Sequence, residues 1–268
     1  MANELTVENL SEAFGFAVSP AFERAIAAAV ARSPQEPHTG LSKFGLTLGG
    51  PLYSFLGGSA QSLRVPQMPP EFFPFAVRAG KPDTYLGFLV DKPSLEAAPA
   101  TTFAVIVPED PQRCGVIARD EQELFRWLGA HLDDLDSLGL SKGSGSYEAG
   151  QAHQLRQQSV AYRTADQLGV VVEEENAPLG LIHEDFRCRL IEKRQPDKVR
   201  EAGLAALKVG APGAALALAR DLTWWLGHRD HWHQLATELY EVAYTQLQRP
   251  LLLRVAQREW VRLYGRKG

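Results

Sequence analysis

Apolar residues near the start of the chain recur three and four positions apart, which is the spacing of one helix face. Residues 3–32 therefore predict two helices. Their apolar faces comprise Leu10, Ala13, Phe14 and Ala17 in the first helix, and Phe22, Ile26, Ala29 and Val30 in the second. Ser19 and Pro20 mark the break, because serine suits an N-cap and proline suits the first helical turn.

Between residues 44 and 118 the pattern changes to short runs of β-branched and aromatic residues separated by Gly and Pro. Such runs are typical of strands joined by turns, and here they predict an antiparallel meander. A helix that begins near Asp120 closes this part of the chain, with acidic residues in its first turn. The predicted strands are Phe44–Leu48, Phe72–Val77, Tyr85–Val90, Phe103–Val107 and Cys114–Ala118.

Residues 139–150 are rich in Gly and Ser, a composition typical of a flexible linker. We therefore predict one domain over 1–138 and a second part over 151–268. Ser159–Ala165, Leu168–Glu173 and, with a weaker pattern, Arg187–Glu192 are candidate strands. Helical spacing then continues almost to the end of the sequence, and it predicts helices at Asp197–Val209, Pro212–Leu226, His231–Gln248 and Pro250–Tyr264.

Together these elements predict an α+β fold. An N-terminal antiparallel sheet flanked by helices would be followed by a C-terminal all-α domain of helical hairpins, because short connections favour antiparallel neighbours. The pairing of these helices resembles that of tetratricopeptide-type repeats, although no fixed-period repeat of signature residues is present.

Charge is unevenly distributed along the 268 residues, whose net charge is −4. Residues 1–150 hold 18 acidic and 11 basic side chains, a balance of −7, whereas residues 151–268 hold 14 acidic and 17 basic ones, a balance of +3. The acidic N-terminal half could suit a basic partner protein, and solubility alone is the alternative explanation. Nucleic-acid binding is not expected, because the basic residues of the second half are scattered through helices.

The two cysteines, Cys114 and Cys188, are too few and too distant to indicate a disulfide framework, and they fit a reducing compartment. The start of the sequence lacks the pattern of a secretory signal, and the longest apolar run, Ala25 to Ala31, is far shorter than a membrane span. We therefore expect a cytoplasmic protein that does not associate with membranes.

The segment from His228 to His233 is the one stretch whose composition suggests a metal site. Imidazoles and the carboxylate of Asp230 could ligate a divalent ion, and such an ion could support hydrolysis. His231 and His233 are two residues apart on a predicted helix, so they should diverge, whereas His228 and His231 could converge if the turn allows it. A surface or capping turn is the simpler interpretation of the segment.

Other catalytic patterns are absent from the sequence. The glycine pairs near Tyr53 match neither a phosphate-binding loop nor a dinucleotide-binding turn. Cys188 lies between two arginines that could lower the pKa of its thiol, although an alternating strand would more often turn it inward as an apolar filler. Two adjacent tryptophans, Trp224 and Trp225, cannot share one helix face, so one of them could be exposed as a protein contact. No catalytic, cofactor-binding or metal-binding residue and no cofactor is predicted.

The N-terminal half resembles the SUKH superfamily, which includes bacterial toxin-immunity proteins and a fungal regulator of cell-wall synthesis. Phe14–Phe22 resembles the family's first turn, and Phe72–Ala76 resembles its aromatic strand with a Pro-Phe pair. Tyr85–Leu89 resembles the strand that follows, and Ile117–Leu128 approximates the closing helix. The resemblance covers roughly residues 3–135 and implies an α+β domain that binds proteins and has no catalytic residues.

Three functional hypotheses follow from the sequence. The first is a non-enzymatic protein that binds another protein, as a bacterial immunity-type inhibitor that covers the surface of a toxin, with the acidic N-terminal domain as its recognition face. The second is a metal-dependent hydrolase centred on His228, Asp230 and His231. The third is a helical-repeat scaffold that holds a peptide in a groove.

Overall fold

The computed structural model describes residues 4–56, 62–78, 83–108, 110–130, 147–177, 182–226 and 229–264. The chain divides into two compact units. The first comprises Met1–Arg64 and Glu71–Gln154, and the second comprises Val65–Pro70 and Leu155–Gly268. The first unit contains an antiparallel sheet and the second is helical, so the protein has the predicted α+β architecture.

The N-terminal unit begins with two helices, α1 (Val7–Phe14) and α2 (Pro20–Ala31). Thr6 caps α1, and Ser19 caps α2 by accepting a hydrogen bond from the amide of Phe22 at 3.0 Å. Pro20 occupies the first turn of α2. A backbone N–H makes no intrahelical hydrogen bond at that position, so proline costs the helix none. The predicted cap and break between these helices are therefore confirmed.

Five strands form a meander in which each strand pairs antiparallel with the next. They are β1 (Thr47–Leu48), β2 (Phe72–Arg78), β3 (Thr84–Leu89), β4 (Phe103–Ile106) and β5 (Gly115–Ala118), followed by helix α3 (Glu121–Ala130). The prediction for β1 was too long, because residues 42–44 form a 3₁₀ turn. The register shifts between Pro74 and Ala76, which fits the preference of proline for irregular positions in a sheet. The turn predicted between β2 and β3 lies mostly outside the described residues.

A cluster of phenylalanines forms the core between α1, α2 and the sheet. Ring centroids lie 4.6 Å apart for Phe22 and Phe88, and 4.9 Å apart for Phe16 and Phe73, both with edge-to-face geometry. This geometry adds a specific aromatic attraction to the burial of apolar area. The cluster comprises Phe14, Phe16, Phe22, Phe73, Phe75, Phe88 and Phe103.

Gly87 in the centre of β3 permits close packing on the neighbouring strand. A Cβ atom at this position would lie 2.5 Å from the carbonyl oxygen of Phe73 and 2.8 Å from the ring of Phe72. We expect Gly87→Ala to destabilise the protein by about 1–3 kcal/mol, the usual effect of overpacking a core. Thermal and urea unfolding measure this change, and an unfolding free energy equal to that of the wild type would contradict the packing described here.

The described residues of the second unit include part of α4 (Tyr147–Ser159) and five α-helices that follow it. These are α5 (Glu184–Glu192), α6 (Pro196–Lys208), α7 (Pro212–Leu226), α8 (Asp230–Gln246) and α9 (Pro250–Tyr264). Helices α6 to α9 lie within two residues of their predicted bounds, and each packs on the next. Among the described residues, no helix combines the length and the apolar character needed to span a bilayer.

Several predictions in the middle of the chain were wrong. Residues 147–150 of the predicted linker form the first residues of α4, and residues 139–146 lie outside the described part of the chain. Ser159–Ala165 and Leu168–Glu173 form no strands and share a single bridge between Tyr162 and Val170. Arg187–Glu192 belongs to helix α5, whose buried residues Arg187, Leu190 and Ile191 follow helical spacing.

Candidate functional site

The predicted metal cluster is not assembled by the residues that the structure describes. His231 is exposed and His233 is buried on α8, so the two imidazoles diverge as their spacing predicted. Asp230 begins α8 at the surface, and His228 lies outside the described residues. Within the described ranges, no group of three His, Cys, Asp or Glu side chains is placed to hold a metal ion.

A buried ion pair instead organises the centre of the helical unit. Arg220 on α7 donates from Nε to Oδ2 of Asp166 at 2.9 Å and from Nη2 to Oδ1 at 2.7 Å. Its Nη1 also donates to the carbonyl oxygen of Gly169 at 2.6 Å. Asp166 accepts a further hydrogen bond from the hydroxyl of Thr164 and one from the amide of Leu168. The pair therefore fixes the segment from 164 to 169 on α7 by charge-assisted hydrogen bonds.

The same interactions explain why this segment is not a strand. Arg156 on α4 donates to the carbonyl oxygens of Leu168 and Gly169, at 2.8 and 3.1 Å. Arg220 donates to Gly169 as well. Because arginine side chains donate hydrogen bonds to these carbonyl oxygens, the segment needs no partner strand to satisfy them.

A second buried pair joins α5 to α7. Arg187 donates from Nε to Oδ2 of Asp221 at 2.6 Å, and Asp221 accepts from the amide of Ala165 at 2.8 Å. Arg187 also donates to the carbonyl oxygens of Ile182 and Arg163. Burial raises the pKa of the Asp221 carboxyl, and the Arg187 guanidinium beside it opposes that shift. The two helices are therefore linked by a buried ion pair whose charged groups are hydrogen-bonded.

A surface groove opens one turn beyond this pair, and we call it the α5–α7 groove. It has a volume of about 440 Å³. Trp225 and Leu226 contribute its α7 side, and the residues from α5 and its C-terminal end are Cys188, Ile191, Glu192 and Arg194. Apolar side chains form most of the lining, with one carboxylate and one guanidinium among them. Such a groove suits an inserted apolar side chain with polar contacts beside it.

The tryptophan pair occupies two contrasting environments, as the sequence predicted. Trp224 is buried, with 5% of its surface exposed, whereas Trp225 is 49% exposed beside the α5–α7 groove. Most other large hydrophobic residues that are exposed in the described chain also belong to the helical unit. They are Leu155, Phe186, Leu204, Val209, Val242 and Val261, while Leu95 belongs to the N-terminal unit.

Cys188 differs from both interpretations that its sequence context suggested. It lies on helix α5 and is partly exposed in the α5–α7 groove, so it is not an inward-facing strand residue. Burial raises the pKa of its thiol, the nearby carboxylates of Asp221 and Glu184 raise it further, and Arg187 opposes them. The guanidinium of Arg187 is directed at Asp221, which explains why it does not activate the thiol.

We therefore expect Cys188 to react slowly with iodoacetamide near pH 7. A raised pKa leaves less thiolate at neutral pH. The alkylation rate should therefore still be rising above pH 8.5, which is roughly the pKa of an ordinary cysteine. Mass spectrometry of a Cys114→Ala variant isolates the reaction of Cys188. A reaction rate that levels off well below pH 8.5 would show an activated thiol and contradict this electrostatic account.

The sequence indicated that one of the two tryptophans could be exposed, but it did not predict the buried ion pairs of the helical unit. The partners of these pairs are separated by 34 residues for Arg187 and Asp221, and by 54 residues for Arg220 and Asp166. No local pattern connects residues so far apart. The adjacency of Arg220 and Asp221 within a mostly apolar helix was the available signal, because such charges are rarely buried without partners.

Comparison with known proteins finds no family model that matches this chain and no curated protein with significant similarity to it.

Proposed function

We propose that this protein works by binding another protein through the α5–α7 groove and performs no catalysis. The observation that carries the proposal is the half-exposed Trp225 beside a largely apolar groove. Tryptophan is enriched among the residues that dominate binding energy at protein interfaces, especially where it meets a well-packed pocket. A partner side chain placed in the groove would pack against Trp225 and Leu226, with Glu192 and Arg194 available for hydrogen bonds.

The ion pair beneath the groove supports this proposal. Arg187 and Asp221 hold α5 and α7 together just below Trp225, so the groove walls belong to a fixed part of the helical unit. A binding surface that is already ordered loses less conformational entropy when the partner arrives. Rigid support of this kind is what a recognition site on helices requires.

The finer proposal is an immunity-type inhibitor that covers the working surface of a bacterial toxin in the cytoplasm. It is favoured by the resemblance of residues 3–135 to the SUKH superfamily, whose members include toxin-immunity proteins. The α5–α7 groove lies outside these residues, so the recognition face proposed here is on the helical unit and not on the acidic N-terminal domain. Neither Cys114 nor Cys188 forms a disulfide, which fits a reducing compartment. A second candidate is a scaffold that holds a peptide, which is favoured by the position of the groove on the helical unit.

Affinity purification from the source cells tests the proposal. The full chain is used as bait beside a Trp225→Ala variant and a Val261→Ala variant, because Val261 is an exposed residue of α9 that does not line the groove. We expect one protein to be captured by the wild type and the Val261 variant and to be lost with the Trp225 variant. Equal capture by all three baits would contradict binding through this groove, and a captured toxin would favour the immunity function.

A further inference from the structure

A second groove lies within the N-terminal unit, and we call it the α2–α3 groove. It has a volume of about 390 Å³ and runs between α2, the turn at residues 41–44 and α3. Ala25 and Ala28 form its α2 side, Phe44 lies in its floor, and Phe125 contributes from α3. These side chains give the groove an apolar interior of a size that falls within the usual range of binding sites, about 300–1,000 Å³.

Glycine at position 40 allows the turn to form one wall of the α2–α3 groove. A Cβ atom on Gly40 would lie 2.3 Å from the carbonyl oxygen of Ala29, so any other residue would force the turn away from α2. The turn also places the Nζ of Lys43 at 4.5 Å from the ring centroid of Phe44. This cation–π contact holds the ammonium group beside the apolar interior.

The charges of the α2–α3 groove are opposite in sign to those of the unit that contains it. Residues 1–150 carry a balance of −7 from 18 acidic and 11 basic side chains. Among the described residues that line the groove, Arg32 and Lys43 carry the charge, and both are cationic and exposed. Neither forms an ion pair with a described carboxylate. The groove therefore combines an apolar floor with two cations available to a ligand.

From this arrangement we propose that the α2–α3 groove binds an acidic amphipathic helix of a partner protein. The small side chains of Ala25 and Ala28 allow a helix to approach α2 closely, since the distance between packed helices depends on the residues in contact. A leucine or phenylalanine of the incoming helix fills the space between Phe44 and Phe125. Its flanking carboxylates lie beside Arg32 and Lys43, which provides complementary charge and orientation.

This site is separate from the α5–α7 groove and does not depend on the function proposed for it. The probe is a fluorescent peptide of about 14 residues, long enough for marginal helicity. Leucines recur in it every three and four positions, with Glu and Ala elsewhere. A second peptide replaces every Glu with Lys. Fluorescence anisotropy with the full chain measures both affinities, and added salt should weaken binding of the acidic peptide because the cations are exposed.

Charge reversal supplies the decisive comparison. We expect Arg32→Glu and Lys43→Glu each to weaken binding of the acidic peptide by up to roughly fivefold, as exposed ion pairs do. The double variant should weaken it further and gain affinity for the lysine peptide. Arg24→Glu is the matched control, because Arg24 is exposed on α2 and does not line the groove. Trp225→Ala should leave this binding unchanged.

Three results would overturn the proposal. They are the absence of acidic-peptide binding at millimolar concentration, equal affinity for the two peptides, and an affinity that both charge reversals leave unchanged. A failure here together with partner capture that depends on Trp225 would reject the α2–α3 groove and leave the proposed function standing. Peptide binding as expected here, together with partner capture that does not depend on Trp225, would reject the α5–α7 groove and leave the α2–α3 groove standing.

Discussion

Replacement of Arg220 by Met is expected to lower the free energy of unfolding by about 3–5 kcal/mol. The variant leaves the carboxylate of Asp166 buried without its cation, and it removes one of the two side-chain donors to the carbonyl oxygen of Gly169. An uncompensated charge in the interior is costly even where the intact pair contributes little net stability. Urea unfolding followed by circular dichroism measures the loss.

Arg200→Met is the matched control for this experiment. Arg200 also pairs with a carboxylate, Glu238, at 3.0 Å, but both side chains are exposed, and we expect a loss below about 1 kcal/mol. The double variant Asp166→Asn with Arg220→Met should be more stable than Arg220→Met alone, because it removes the unpaired charge. Equal losses for the Arg220 and Arg200 variants would contradict the structural role of the buried pair.

Truncation of Trp225 to Ala is expected to weaken binding of the partner by at least about 2 kcal/mol, roughly 30-fold in Kd. The side chain is half-exposed and forms one edge of the α5–α7 groove, so its removal deletes contact area without emptying a core. The unfolding free energy should therefore change little. Isothermal titration calorimetry with the purified partner, together with urea unfolding, separates these two effects.

Two further variants test whether the loss of affinity is due to the aromatic ring at position 225. Trp225→Phe retains an aromatic ring and should recover part of the affinity. Val261→Ala truncates an exposed residue outside the groove and should have no measurable effect on binding. A Kd for Trp225→Ala within threefold of the wild type, at unchanged stability, would exclude Trp225 as a dominant contact.

Local sequence signals predicted the elements whose ends are marked by proline, glycine or a capping side chain. The meander was predicted because breakers separate its short runs, and α7 and α9 were placed correctly because Pro212 and Pro250 suit first helical turns. Helix α5 was mistaken for a strand because a run of six residues is too short for its period to be distinguished.

Long-range contacts determine the conformation of the segments that local sequence patterns did not predict correctly. The segment around Gly169 has strong β propensity, but Arg156 and Arg220 occupy its carbonyl groups and it remains a loop. The tryptophan dipeptide indicated that one ring could be exposed, yet the groove beside it depends on Arg187 of α5 meeting Asp221 of α7. Tertiary contacts of this kind override local propensity, and the sequence around each residue does not show which distant residue is its partner.

Site-specific photocrosslinking tests most directly whether this protein acts through the α5–α7 groove. A photoreactive phenylalanine analogue is placed at position 225 and, in a second protein, at position 95, where Leu95 is exposed in the N-terminal unit. Both are irradiated with the purified partner, with and without excess wild-type protein. We expect a single crosslinked species at position 225, suppressed by the wild type, and none at position 95. An absence of crosslinking at 225, or equal crosslinking at both positions, would contradict it.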